Sequence, residues 1–174
     1  MTWVYRPRTI VQLGVGEGLS SIVMLMVATL RGDGDTRLIG YDNYAARSVG
    51  EPLSRAVAER NLQSYGVRRF VELREADVLQ ERCPIGSIDL LNVDIDNTLE
   101  KLSQLRALGW FDAVTSDGLI IIEGGHSRHH GRAESRGILR FCELLERAGF
   151  QVMAVPRYPG CVLARPPLRE RDSY

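Results

Sequence analysis

The sequence predicts an α/β chain. The expected architecture is a doubly wound, mostly parallel seven-stranded sheet with helices on both faces and a C-terminal β-hairpin. Three observations predict it. Five short apolar, β-branched runs are interleaved with four longer helical patterns, which calls for right-handed crossovers and a parallel sheet. The last two apolar runs, "FQVMAV" and "CVLARP", are separated only by "PRYPG", a length that suits an antiparallel turn. The residues with chemistry to offer fall where strands should end. They are Glu17, Gly18, Asp42, Asn43, Asp77, Asp94, Asp96, Glu123 and His126, on the edge where such sheets bind ligands.

Each element follows from its pattern. "TIVQLG" reads as a buried strand that stops at glycine. Gly18 to Leu30 reads as a helix, apolar nearly all round and therefore expected to be buried. "RGDGDT" is a turn and "RLIGYD" a second strand. Ser48 to Tyr65 reads as a helix, with Ser48 and Glu51 at capping-box spacing and Gly66 as its stop. "RFVELREAD" and "IDLLNVDID" are the third and fourth strands, with "CPIGS" as the break between them. A helix is expected over Asn97 to Val114, then a turn at "SDG", then a fifth strand, "LIIIEGG". "HSRHHGRAES" is a polar loop, and Ser135 to Ala148 a helix ended by Gly149. Trp110 and Phe111 should pack on the sheet as core.

The chain's 174 residues suit one domain, 1–174, with 166–174 expected to be a flexible tail. Its composition, 44% hydrophobic and 25% charged, supplies a core. Lys and Arg number 22 against 22 Asp and Glu, so no electrostatic argument favours a nucleic-acid or membrane partner. The longest apolar run, "SSIVMLMVATL", is about eleven residues, too short for a bilayer span. Cys83, Cys142 and Cys161 are odd in number and widely spaced, which reads as reduced thiols in a cytoplasmic protein.

The stretch "TIVQLGVGEGLSS" decides which ligand to expect. Gly14, Gly16 and Gly18 give a backbone that turns tightly and lets a ligand approach its N–H groups. A phosphate-binding loop needs a Gly-Lys pair, and none exists in the chain. The dinucleotide fingerprint GxGxxG is replaced by GxGxG, and Glu17 would meet pyrophosphate charge. Both points count against NAD. A phosphate-free cofactor carrying an amino acid tolerates that glutamate.

With "GYDNY", "READV", "IDLLNVDID", "SDGLIIIEGG" and "FQVMAVPRYPGCVLAR" in order, the chain resembles the class I S-adenosylmethionine-dependent methyltransferases over nearly its whole length. The resemblance implies a Rossmann-like fold. It implies that Gly14, Gly16, Glu17 and Gly18 lie under the methionine moiety and ribose, and that Asp42 accepts from the ribose hydroxyls. Asn43 and Tyr44 would flank the adenosine, Asp77 and Val78 would meet the adenine, and Asp94 would lie near the reacting methyl. The residues alone also admit plainer readings: turn glycines at 16 and 18, a capping or turn carboxylate at Asp42, and a loop carboxylate at Asp77.

"VDIDNTLE" resembles a subgroup that includes macrolide and sugar O-methyltransferases and cephalosporin-hydroxylase-like proteins. Catechol-type relatives add oxygen ligands after the fifth strand, a set suited to magnesium. Here Asp94 and Glu123 would be the metal ligands. Gly124 stands where that pattern has an acidic or amide residue, and Asn97 where it often has histidine. Methyl transfer to oxygen needs a base. His126, one of three histidines in "GGHSRHHGR", is the candidate nearest a strand end; Asp94 is the other catalytic candidate. The expectation is O-methylation of a small-molecule acceptor, in a homodimer. The alternatives are a cofactor-binding protein without turnover and a hydroxylase-like enzyme on the same scaffold.

Overall fold

The computed structural model describes residues 6–44, 54–124, 133–154 and 161–168. They form one seven-stranded sheet: β1 (Thr9–Leu13), β2 (Arg37–Asp42), β3 (Val71–Glu75), β4 (Ile88–Val93), β5 (Val114–Glu123), β6 (Gln151–Ala154) and β7 (Cys161–Arg165). The spatial order is β3-β2-β1-β4-β5-β7-β6. β1 to β5 pair in parallel, and β7 lies antiparallel between β5 and β6. This is the predicted sheet, hairpin included. The order reverses between β1 and β4, which opens a crevice at their carboxyl ends.

Helices α1 (Leu19–Leu30), α2 (Arg55–Ser64), α3 (Leu99–Ala107) and α4 (Ala133–Arg147) supply the crossovers. Two cores result. Ile10, Leu38 and Leu90 from the strands pack with Ile22, Leu25, Ala58 and Leu62 of α1 and α2. Val11, Leu91, Val93, Ile120 and Ile122 pack with Leu102, Leu105, Phe141 and Leu145 of α3 and α4. Strand alternation alone sends neighbouring residues to opposite cores. Trp110 and Phe111 are fully buried in the second core, as the sequence predicts, and Trp110 meets Tyr41 edge-on at 5.0 Å. The three cysteines are free thiols, and burial pushes Cys142 up to about 11.

Several boundaries differ from the sequence reading. α2 begins at Arg55, capped by the Ser54 side chain on Val57 N; the expected cap at Ser48 and Glu51 lies outside the described residues. α3 stops at Ala107 rather than Val114, because Gly109 takes φ 85 and the chain then turns through Trp110 into β5. "SDG" is not a turn between elements. It lies inside β5, where the pairing with β4 jumps from Ile88↔Val114 to Leu90↔Leu119 and absorbs the extra residues as a bulge. A short 3-10 turn, Arg68–Phe70, precedes β3. Pro166, assigned to the tail, is buried.

The largest correction concerns α1. Its inner side packs on the sheet, but Leu19, Val23, Met26 and Leu30 are 58%, 63%, 40% and 75% exposed. No described element covers its outer face, so apolar character all round did not secure burial all round. Among the described residues, no helix is long and apolar enough to cross a membrane.

Candidate functional site at the carboxyl ends of the strands

The glycine loop is fixed by contacts with two neighbouring strands. Gly14 N donates to Tyr41 O of β2 at 2.8 Å, and Asp94 N donates to Leu13 O at 2.8 Å. A Cβ on Gly14 would lie 1.9 Å from Asp94 O, and its φ is +88. Glycine is therefore required here by the close approach of the β4 backbone. Gly16 also takes positive φ, and its N–H donates to Asp42 Oδ2 at 2.7 Å. Gly18, with φ 83, starts α1 without any side-chain cap. That leaves the first N–H groups of α1 directed at the crevice, the end of a helix that favours negative charge. Glu17 is exposed, and its carbonyl accepts Asn61 Nδ2 of α2 at 2.9 Å.

Asp42 joins the loop to the end of β2. Its Oδ1 accepts Tyr44 N at 2.7 Å while Oδ2 holds Gly16. A carboxylate offers about four lone-pair sites, so two backbone donors leave room for hydroxyl groups. Asn43 is exposed. Tyr44 takes a left-handed φ of 46, and its buried hydroxyl finds no hydrogen-bond partner among the described residues. Burial, then the Asp42 charge, pushes that phenol up to about 12.

Asp77 is exposed and opens a turn, with Oδ1 accepting Leu79 N at 3.0 Å. Val78 is buried, and its carbonyl accepts Trp110 Nε1 at 3.2 Å. The Asp77–Leu79 contact fits the plainer reading of Asp77 as a loop carboxylate.

The ends of β4 and β5 carry the second group. Asp94 and Glu123 are half-buried. Both carboxylates raise the Cys161 thiol, after burial as the main cause, which places all three at one end of the sheet. Asn92, 2% exposed, donates from Nδ2 to Glu123 Oε1 at 3.1 Å. Asn97, 6% exposed, donates from Nδ2 to Val93 O at 2.9 Å and Glu123 O at 2.7 Å. It clips together the last residues of β4 and β5. The Oδ1 atoms of both asparagines are buried and find no partner among the described residues. Asp96, the second acid of "DID", turns outward with φ 63 and pairs with Lys101 Nζ at 2.8 Å.

So the structure brings Gly14, Gly16, Gly18 and Asp42 together, and Asp94 with Glu123. Asp96 points away from them. His126 lies outside the described residues, as do the other two histidines. Among the described residues, no three His, Cys, Asp or Glu side chains gather to hold a metal. Sequence reasoning missed Asn92 and the clip made by Asn97. One signal was available: an amide within the otherwise apolar "DLLNV" is a buried polar group that must find a partner.

The sheet order, the reversal between β1 and β4, and the glycine loop resting on an acidic β2 terminus define a class I methyltransferase fold. Residues 11–150 match the family model described as "Methyltransferase domain", and the chain belongs to that family. Solved structures share the fold. The O-methyltransferase TomG from Streptomyces achromogenes, involved in tomaymycin synthesis and solved with SAM, is 20% identical, with TM-score 0.65 over 96% of this chain and 76% of that one. The SAH-bound methyltransferase PaMTH1 of Podospora anserina is 16% identical, with TM-score 0.68 over 94% and 74%. The O-methyltransferase NovP is 14% identical, with TM-score 0.69 over 92% and 72%. Among curated protein sequences, none matches significantly.

Proposed function

We propose that this protein transfers the methyl group of S-adenosylmethionine to an oxygen of a small-molecule acceptor. One observation carries the reading: Asp42 anchors Gly16 at the topological switch point and keeps lone pairs for a diol. Gly14, Gly16, Glu17 and Gly18 would line the methionine and ribose, Asn43 the adenosine, and Asp77 with Val78 the adenine. The structural neighbours that hold SAM or SAH, and the O-methyltransferases among them, support the same class.

The bound cofactor would supply an electrophilic methyl on sulfur, and the chain would supply orientation and proton removal. Asp94 lies at the crevice beside the glycine loop, suited to orienting the attacking hydroxyl. His126 is assigned as the base that takes its proton. Asp94 and Glu123 are the pair assigned to magnesium, with oxygen ligands of the right kind. The protein is read as cytoplasmic and homodimeric, with neither nucleic acid nor membrane as partner.

Calorimetric titration with S-adenosylmethionine, S-adenosylhomocysteine and NAD, with and without magnesium, tests this. Micromolar binding of the first two and none of NAD is the expected result. Binding of NAD instead, or of none of the three, removes the reading.

A further inference from the structure

Gln12 is a polar side chain sealed beneath the glycine loop. It is 1% exposed, and Ser21, in the first turn of α1, is fully buried. Gln12 Nε2 donates to Gly14 O at 3.0 Å. Its Oε1 accepts Ser21 Oγ at 2.5 Å. One amide therefore touches both ends of the loop: the residue where β1 stops and the turn where the helix starts.

A glycine loop gains from such a strut. Gly14, Gly16 and Gly18 all take positive φ, and glycine loses more conformational freedom on ordering than any other residue. A ligand that must order its own loop binds more weakly. Gly18 stands at the N-cap of α1 and offers no side chain to hold the first turn. Ser21 supplies that hold instead. A helical serine commonly bonds back to its own helix; this one reaches across to the strand beneath.

The bonding pattern selects an amide. An amide donates and accepts at once, whereas an ionised carboxylate only accepts. A glutamate here would set an oxygen against Gly14 O and bury a charge. Once protonated, it would again donate to Gly14 and accept from Ser21. The groups facing Gln12 are Gly40 on β2, Asn92 on β4 and Ser21 on α1, and none of them titrates as a glutamate does. Glu123 stands one strand beyond, bonded to Asn92 Nδ2.

We propose that Gln12, with Ser21, is a positioning residue for the cofactor. The pair holds the glycine loop in its binding geometry before the cofactor arrives, acting through Gly14 and the first turn of α1 rather than touching the ligand. This role rests on the S-adenosylmethionine reading of the site.

Calorimetric titration of the folded 174-residue chain with S-adenosylhomocysteine, from about pH 5.5 to about pH 8, tests it. Ser21→Ala should weaken binding about three- to tenfold at every pH. Gln12→Glu should weaken it more than about tenfold at the alkaline end. Burial raises the pKa of a glutamate, so this deficit relative to wild type should shrink several-fold at the acid end. A side chain that only filled the core would lower the unfolding temperature and leave the affinity of the folded chain unchanged at each pH.

Wild type that binds no S-adenosylhomocysteine removes the cofactor reading and this role with it. Wild type that binds, with both variants unchanged, removes the role alone. A Gln12→Glu deficit of the same size at both ends of the pH range means that donation to Gly14 O is not what matters, and overturns the role. If Gln12→Glu does not fold, Ser21→Ala decides: full affinity overturns the role, and a loss of about three- to tenfold upholds it.

Discussion

At the end of β2 a side chain holds two backbone N–H groups: Asp42 accepts from Gly16 and Tyr44. At the ends of β4 and β5 a side chain holds two backbone carbonyls: Asn97 donates to Val93 and Glu123. Each loop then passes through a left-handed non-glycine residue, Tyr44 in one and Asp96 in the other. The two ends use the same device with opposite polarity, and they differ in completeness. Asp42 has both oxygens engaged and still has acceptor capacity. Asn92 and Asn97 each bury an amide oxygen that accepts nothing from the described residues. A buried acceptor left unsatisfied costs about 1–3 kcal/mol. Among the described residues, the β2 end is thus held by backbone donors, whereas the β4–β5 end buries amide acceptors without a donor.

The comparison can be broken at its shared hinge. Gly14 lies between the two ends, so Gly14→Ala should have the largest effect. Its Cβ would overlap Asp94 O at 1.9 Å, and the strain at positive φ adds to that. A loss of about 3 kcal/mol or more is expected in urea unfolding. Near-wild-type stability would mean that β1 and β4 are not locked together here.

Asp42→Ala comes next. Two donors lose their acceptor, which should lower stability by about 1–3 kcal/mol. If Asp42 also binds ribose, affinity for S-adenosylhomocysteine falls a further ten- to hundredfold, roughly 1.5–3 kcal/mol. Calorimetry at a temperature where the variant is folded separates the two losses. Unchanged affinity would assign Asp42 to loop anchoring only.

Asn97→Ala should cost about 1–2 kcal/mol by releasing two strand-end carbonyls. Asn97→Asp should fall further at neutral pH, because a carboxylate would face those same carbonyls. Equal losses in the two variants would argue against the clip.

Tyr44→Phe is the smallest change. The hydroxyl it removes has no partner among the described residues, so stability at neutral pH should stay within about 0.5 kcal/mol or rise. The pH dependence sharpens this. With the folded phenol at about 12 against its ordinary value of 10.0, folding favours the neutral form. That contribution is intact below pH 10 and is lost as pH rises through 12. Denaturation midpoints between those values should fall less in Tyr44→Phe than in wild type.

Much of this was legible beforehand. The glycines announced the backbone-built end, since only glycine serves where φ is positive or a strand approaches within contact. Asp42 was legible because it ends a strand beside them. The Asn97 clip was not, because its two acceptors belong to different strands, and only the packed sheet sets those strands side by side. Asp96 looked equivalent to Asp94 in "DID", yet the left-handed turn at Asp96 sends it to Lys101.

The sequence by itself determined the strand and helix alternation, the closing hairpin and the glycine loop, because periodicity and backbone freedom are local properties. Tertiary structure decided which acid faces the crevice, which amides lie buried beneath it, and which side of α1 packs into the core. Helical periodicity can say that α1 has two apolar faces. It cannot say which face the sheet covers, because covering it takes residues from strands far along the chain.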